Sequence, residues 1–281
     1  MRQVVIDWNV NDTPDDIRRF SAALGDIYAS EPPQAWRLDL AACRYIGPDA
    51  SAMIYALWIR DRQRGLRCEV ILPDGPEPLR AFCEFVGLKH YLHRGPRPDP
   101  DHPRCETVPL SNFYQSPYIV SGPVVRLVER HLPMTCEFQD YLQTCITEVV
   151  QNIIDHAESP VGGVLAARFI SSRSEVRVAV VDHGLGIPKR TRLALGLGGS
   201  DRDILQSVMQ GGMSSRSQAH NQGLGLKNLV DIVQNHQGSL LLLSGDAVAS
   251  SSEGREIRYF EAERRFPGTV VCFSLKTEPH E

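Results

Sequence analysis

The chain contains no uninterrupted apolar run long enough to cross a bilayer. Its N-terminus passes from Met1-Arg2 into a short Val4-Val5-Ile6 stretch broken by Asp7, unlike the apolar segment of a secretory leader. A cytoplasmic protein with no membrane partner is therefore expected. The seven cysteines are odd in number, scattered and without a C-x-x-C pair, which argues against a disulfide framework and against a zinc site. His90, His93, His102 and Cys105 straddle a proline-rich stretch without metal-ligand spacing. Positive charge is not in excess either. Thirty Lys and Arg against 34 Asp and Glu leave a formal charge of -4, so a nucleic-acid partner has little electrostatic support. Two phosphate-binding signatures are also missing. Lys189 and Asn228 stand where G-x-G-x-x-G requires its third glycine, and no G-x-x-x-x-G-K-[ST] occurs, which removes the Rossmann and P-loop readings.

What is present is a 281-residue chain, 42% hydrophobic and 23% charged, with the composition of a globular protein and the length of two ordinary domains. The first ninety residues alternate strand and helix signals: Val4-Val5-Ile6, a helix from Pro14 to Tyr28 behind Thr13, Trp36 to Leu40, a helix from Ala50 to Arg64 ended by Gly65, Cys68 to Leu72, and a helix from Glu77 to Val86 ended by Gly87. This predicts a small α/β domain over residues 1–95. Prolines crowd the stretch from His93 to Pro109, which reads as a connector over 96–115. A second domain over 116–281 follows, with helices at Val124–Leu132 and Glu137–Ala157 and strands at Val164–Ile170 and Val176–Val181. A glycine- and serine-rich stretch from Gly196 to Gln222 is helical only around Arg202–Met209. A helix at Leu224–Asn235 and strands at Leu240–Leu243, Glu256–Phe260 and Val270–Leu275 close the chain.

Three segments of the second half carry chemistry. Glu148, Asn152 and His156 are spaced by four, and four helical residues advance about 400°, so a regular helix aligns them on one stripe opposite Val149, Val150, Ile153 and Ile154. An asparagine carbonyl is a hard donor suited to Mg²⁺ shared with phosphate oxygens, and a carboxylate one turn away can accept a proton from an attacking hydroxyl. Asp182 ends an apolar strand, where it needs hydrogen-bond donors such as an adenine amine. Gly184 and Gly186 after it permit positive φ and close approach to a flat ring, with Ile187 following. Gly223-Leu224-Gly225-Leu226 opens a helix, whose exposed N–H groups suit phosphate, behind a small-residue stretch of lid-like composition that includes Gly211 to Arg216.

In this order the segments resemble the N, G1 and G2 boxes of the GHKL ATPases, the Bergerat-type α/β sandwich shared by gyrase, heat-shock chaperones, mismatch-repair ATPases, histidine kinases and anti-sigma-factor serine kinases. The resemblance runs from about Val124 to Thr277. It implies Mg-ATP binding, with Glu148 as general base, Asn152 as magnesium ligand and Asp182 as the adenine carboxylate. Gly184 and Gly186 would lie under adenine, with His156 and Ile187 in the pocket. Gly223, Leu224, Gly225 and Leu226 would lie along the phosphates, and Thr269 would assist at adenine. Asn221 stands where kinase members often carry a further lid glycine. The first domain resembles the STAS fold of anti-sigma-factor antagonists through Leu38-Asp39-Leu40, Tyr45-Ile46 and the following helix. Gly47-Pro48-Asp49-Ala50 replaces that family's phosphorylatable loop, so a non-phosphorylated docking module is expected, with Asp49 as a charge mimic and Ser51 as a displaced acceptor the regulatory alternatives. The two resemblances imply an ATP-binding signalling protein that phosphorylates or switches a protein partner through the STAS-like domain or the lid, with a homodimer among its assemblies. The alternative is a nucleotide-gated ATPase.

Overall fold

Thr13 opens the first helix as its spacing predicts: its hydroxyl accepts the Asp16 N–H at 3.2 Å, and Pro14 takes the first helical position, where no N–H is required. The computed structural model describes residues 1–28, 35–95, 97–98, 106–211 and 225–277. In the first part, β1 (Arg2–Val5), α1 (Pro14–Ala23), α2 (Gly25–Tyr28), β2 (Ala35–Asp39), α3 (Pro48–Gln63), β3 (Arg67–Ile71), α4 (Glu77–Phe85) and α5 (Leu88–His93) follow in order. The helix expected over 14–28 is therefore two, divided at Leu24. The strands pair in parallel in the order β1-β2-β3, with Val4 opposite Leu38 and Leu38 opposite Val70.

The second part holds β4 (Thr107–Phe113), α6 (Tyr118–His131), α7 (Cys136–Asn152), a π-helical turn (Ile153–Ala157), β5 (Gly163–Ile170), β6 (Glu175–Asp182), α8 (Ile187–Leu195), α9 (Asp201–Met209), α10 (Gly225–Asn235), β7 (Leu240–Ser251) and β8 (Arg258–Lys276). Its five strands form an antiparallel sheet in the order β4-β5-β6-β8-β7. Three expectations change. Residues 107–113, assigned to the connector by their prolines, form the edge strand β4, where Pro109 is tolerated as it would not be in a central strand. The two strands expected at 256–260 and 270–275 are one strand, β8, that runs through Pro267 and Gly268. The segment Ile187–Leu195, for which the sequence reading gave no element, is helical.

Strand parity sorts the sheet into two cores. Leu165, Ala167, Val176, Val178, Val180, Leu240, Leu242, Val271 and Phe273 face α6, α7 and α10. Val164, Ala166, Ala179, Val181, Leu241, Leu243, Val270 and Cys272 face the other way and share one buried cluster with Ile17, Phe20, Trp36, Leu38, Met53, Ile54 and Leu57 of the first part. The first ninety residues thus form a layer on the second face of the sheet.

That layer is pinned by charge. Arg177 has the same parity as Ala179 and Val181, is 1% exposed, and donates from Nε to Asp49 Oδ2 at 2.7 Å and from an Nη atom to Ser239 Oγ at 2.7 Å. The Tyr45 hydroxyl donates to Asp12 at 2.5 Å beside this pair, and burial, followed by the charge of Asp49, pushes the Asp12 carboxyl up to about 7. Asp49 is therefore an internal anchor of α3 and not a surface charge mimic. Ser51 is also fully buried and donates to the Gly47 carbonyl at 2.7 Å, which removes it as an accessible acceptor.

Candidate functional site

Helix α7 starts behind Thr135, whose hydroxyl accepts the Phe138 N–H at 3.2 Å, and carries Glu148 and Asn152 near its C-terminal end. Asn152 is exposed and Glu148 half-buried. The regular helix stops at Asn152, and residues 153–157 coil more widely as a π turn. His156 therefore follows Asn152 through a π turn and not through the regular helix assumed from the sequence. It sits half-buried in that turn.

The π turn brings the end of α7 onto the loop after β6. The Leu185 N–H donates to the Ala157 carbonyl at 2.7 Å, and a Cβ on Gly184 would lie 1.9 Å from that same oxygen. Gly184 is thus required by close backbone approach, and Gly186 by its φ of 78°. At its other turn α7 meets α10: a Cβ on Gly225 would lie 2.3 Å from Glu148 Oε2. Glu148 and Gly225 are brought together, as are α7 and the Asp182 loop. Gly223, Leu224, Asn221 and most of the proposed lid lie outside the described residues. Leu226 points elsewhere: it is 8% exposed and belongs to the helix-side core.

Asp182 is 1% exposed at the end of β6, opposite Thr269 of β8, which is in turn opposite Ser244 of β7. The three share the sheet face that packs against α7 and α10. The Asp182 carboxylate accepts the Gly184 N–H at 2.7 Å. Burial pushes its carboxyl up to about 7, against the opposing effect of that N–H and of the neighbouring Thr269. A carboxylate offers about four lone-pair sites, so further donors can be accepted. Ser244, which the sequence reading did not single out, completes the row. Its Oγ accepts the Ile187 N–H at 2.8 Å, donates to the Gly268 carbonyl at 2.9 Å and lies 3.0 Å from Thr269 Oγ1. Ile187 thus enters through its backbone, with its side chain packed against the helix-side core.

Chemically, this arrangement offers a buried acceptor at one end, Asp182, and an ionisable carboxylate beside a helix N-terminus at the other, Glu148 beside Gly225. An exposed amide, Asn152, lies one turn from that carboxylate. A separate cleft of about 610 Å³ opens between α1 and the β6 and β8 ends, lined by Asp12, Arg18, Arg177 and Lys276. Its charges are met locally: Arg18 by Asp15 at 3.0 Å and Lys276 by Glu175 at 3.3 Å.

A histidine kinase domain from the Erythrobacter litoralis EL346 blue-light activated histidine kinase is similar at 16% identity and a TM-score of 0.26, over 56% of this chain and 64% of that one. The chain thus spans under two thirds of that domain's length. The family described as histidine kinase-, DNA gyrase B- and HSP90-like ATPase matches residues 138–279, just over half of the chain, from the start of α7 to the end of β8. The chain belongs to the histidine kinase-, DNA gyrase B- and HSP90-like ATPase family.

Proposed function

We propose that this chain binds Mg-ATP between α7, the Asp182 loop and the N-terminus of α10, and acts as a signalling protein of the anti-sigma serine kinase-like class. The observation that carries the reading is that α7 contacts both other motifs, through Leu185 N–H to Ala157 O at one end and Glu148 against Gly225 at the other. In this reading the open acceptor site of Asp182 takes the adenine amine, and Thr269 and Ser244 hold that carboxylate in place. Gly225, with Gly223 and Leu224 before it, presents helix N–H groups to the phosphates. Among the described residues no three His, Cys, Asp or Glu side chains converge as a metal site. A magnesium ion would be held by the Asn152 amide oxygen together with phosphate oxygens, and when bound it supplies charge neutralisation at the transferred group.

Glu148 is the base: from its place beside the helix N-terminus it accepts the proton of the attacking hydroxyl. If that hydroxyl belongs to a protein serine or threonine the chain is a kinase, and if it is water the chain is a nucleotide-gated ATPase. Residues 1–95 are read as the STAS-like part, on the parallel β1-β2-β3 order with α3 starting at Pro48. Incubation with γ-labelled ATP, with and without proteins of the same cell, separates the readings. Label on a partner protein supports transfer, label released as phosphate supports hydrolysis, and no bound nucleotide at all refutes the site.

A further inference from the structure

Parity makes Asp182 and His183 face opposite sides of the sheet. Asp182 faces α7 and α10, and His183 faces the first ninety residues, where it is 5% exposed. The His183 ring stacks on Phe266, with centroids 5.3 Å apart, and meets Tyr28 at the end of α2 at 5.8 Å. Tyr28 in turn packs edge-on to Phe266 at 5.2 Å. The Nδ1–H of His183 donates to the Pro267 carbonyl at 3.0 Å, and its backbone N–H donates to Ser159 Oγ at 3.3 Å. The carbonyl can only accept, which fixes the proton on Nδ1. Arg60 of α3 lies 5.6 Å from the Tyr28 ring, and burial, followed by the positive charge of Arg60, favours the neutral form of His183.

These contacts bear directly on the acceptor row. Pro267 is two residues before Thr269, which pairs with Asp182 across β8 and β6. Between them, Gly268 at φ 110° passes so close that a Cβ there would lie 2.2 Å from the Asp182 carbonyl. A shift of His183 therefore moves Asp182 on one side and Thr269 on the other. We propose that the first ninety residues set the nucleotide affinity of the ATPase part through Tyr28 and His183, which act as positioning residues behind Asp182. The inference rests on the nucleotide reading of Asp182 and goes beyond it. It assigns the α1–α5 layer a role inside its own chain, as the support of the adenine end of the site.

The test measures binding of ADP and of a non-hydrolysable ATP analogue to the full chain by calorimetry, alongside the unfolding temperature without nucleotide. Tyr28→Leu removes one ring of the stack and is expected to weaken both nucleotides by roughly threefold to tenfold. Tyr28→Phe keeps the ring and is expected to bind within about twofold of the parent, because the contact is one of stacking. His183→Phe keeps the stack but loses the donor to Pro267, and is expected to weaken binding by roughly threefold to tenfold. If Tyr28→Leu lowers the folded fraction, His183→Phe decides the matter. Parent-like affinity in folded Tyr28→Leu or His183→Phe overturns the proposal. Asp182→Ala serves as the reference: loss of binding there alongside parent-like affinity in the other two refutes only the coupling, whereas parent-like binding in Asp182→Ala refutes the nucleotide site itself.

Discussion

Asp182 makes a prediction with a definite sign. Its carboxyl is pushed up to about 7 by burial, and an adenine amine donated to it favours the ionised form, so nucleotide binding releases a proton near and below neutrality. If only the ionised form binds well, affinity at pH 6 is about tenfold weaker than at pH 8, and at pH 7 about twofold weaker. Asp182→Asn removes this titration while leaving the amide oxygen to accept. An NH₂ turned toward the Gly184 N–H costs on the order of 1–3 kcal/mol of affinity. Calorimetry from pH 5.5 to 8.5 in buffers of different ionisation enthalpy counts the protons, and the variant corrects for titration of the nucleotide's own phosphates. The same group acts on the free protein. Because its folded pKa lies above the unfolded value of 3.8, its contribution to stability is present below about pH 4 and is lost as pH rises to about 7, by on the order of 4 kcal/mol at full effect. Asp12 titrates with the same sign, so the difference between parent and variant isolates Asp182. Equal pH dependence of binding in parent and Asp182→Asn would refute the assignment.

Replacing Glu148 with Gln should leave nucleotide affinity within about threefold while lowering transfer or hydrolysis by at least a hundredfold, as single-turnover assays with labelled ATP will show. Gly184→Ala places a methyl 1.9 Å from the Ala157 carbonyl, so it should cost about 1–3 kcal/mol in denaturant titrations and weaken nucleotide binding, because α7 and the Asp182 loop must separate. Arg177→Met leaves Asp49 buried without its partner and should destabilise the chain by about 3–5 kcal/mol, while Arg177→Met with Asp49→Leu should recover most of that loss. A double variant no more stable than the single would show that the pair is not what the arginine contributes.

How much of this was legible depended on whether a residue's role is local. Thr13-Pro14 and the Arg202–Met209 helix declared themselves because caps and helical periodicity act within a few residues. β4 was not legible, because its prolines are compatible with a strand only at a sheet edge, and the edge is set by β5, some fifty residues later. The change of helix type after Asn152 was hidden for a related reason. Nothing in Ile153 to Ala157 announces a π turn; the carbonyl it directs to Leu185 acquires a partner only when β6 has been laid beside β5.

The site itself divides along the same line. Asp182, Glu148 and Gly225 were singled out from residue types in a fixed order and Thr269 from the resemblance, and the structure lays Asp182 opposite Thr269 and Glu148 beside Gly225. Ser244, His183 and Arg177 were not, because each matters through a partner distant in sequence. Arg177 carried the one signal that could have been used: an arginine within an apolar strand, at the parity of Ala179 and Val181, must find an acid on whatever covers that face. Asp49 and Asp12 are those acids, at the start of α3 and just before α1.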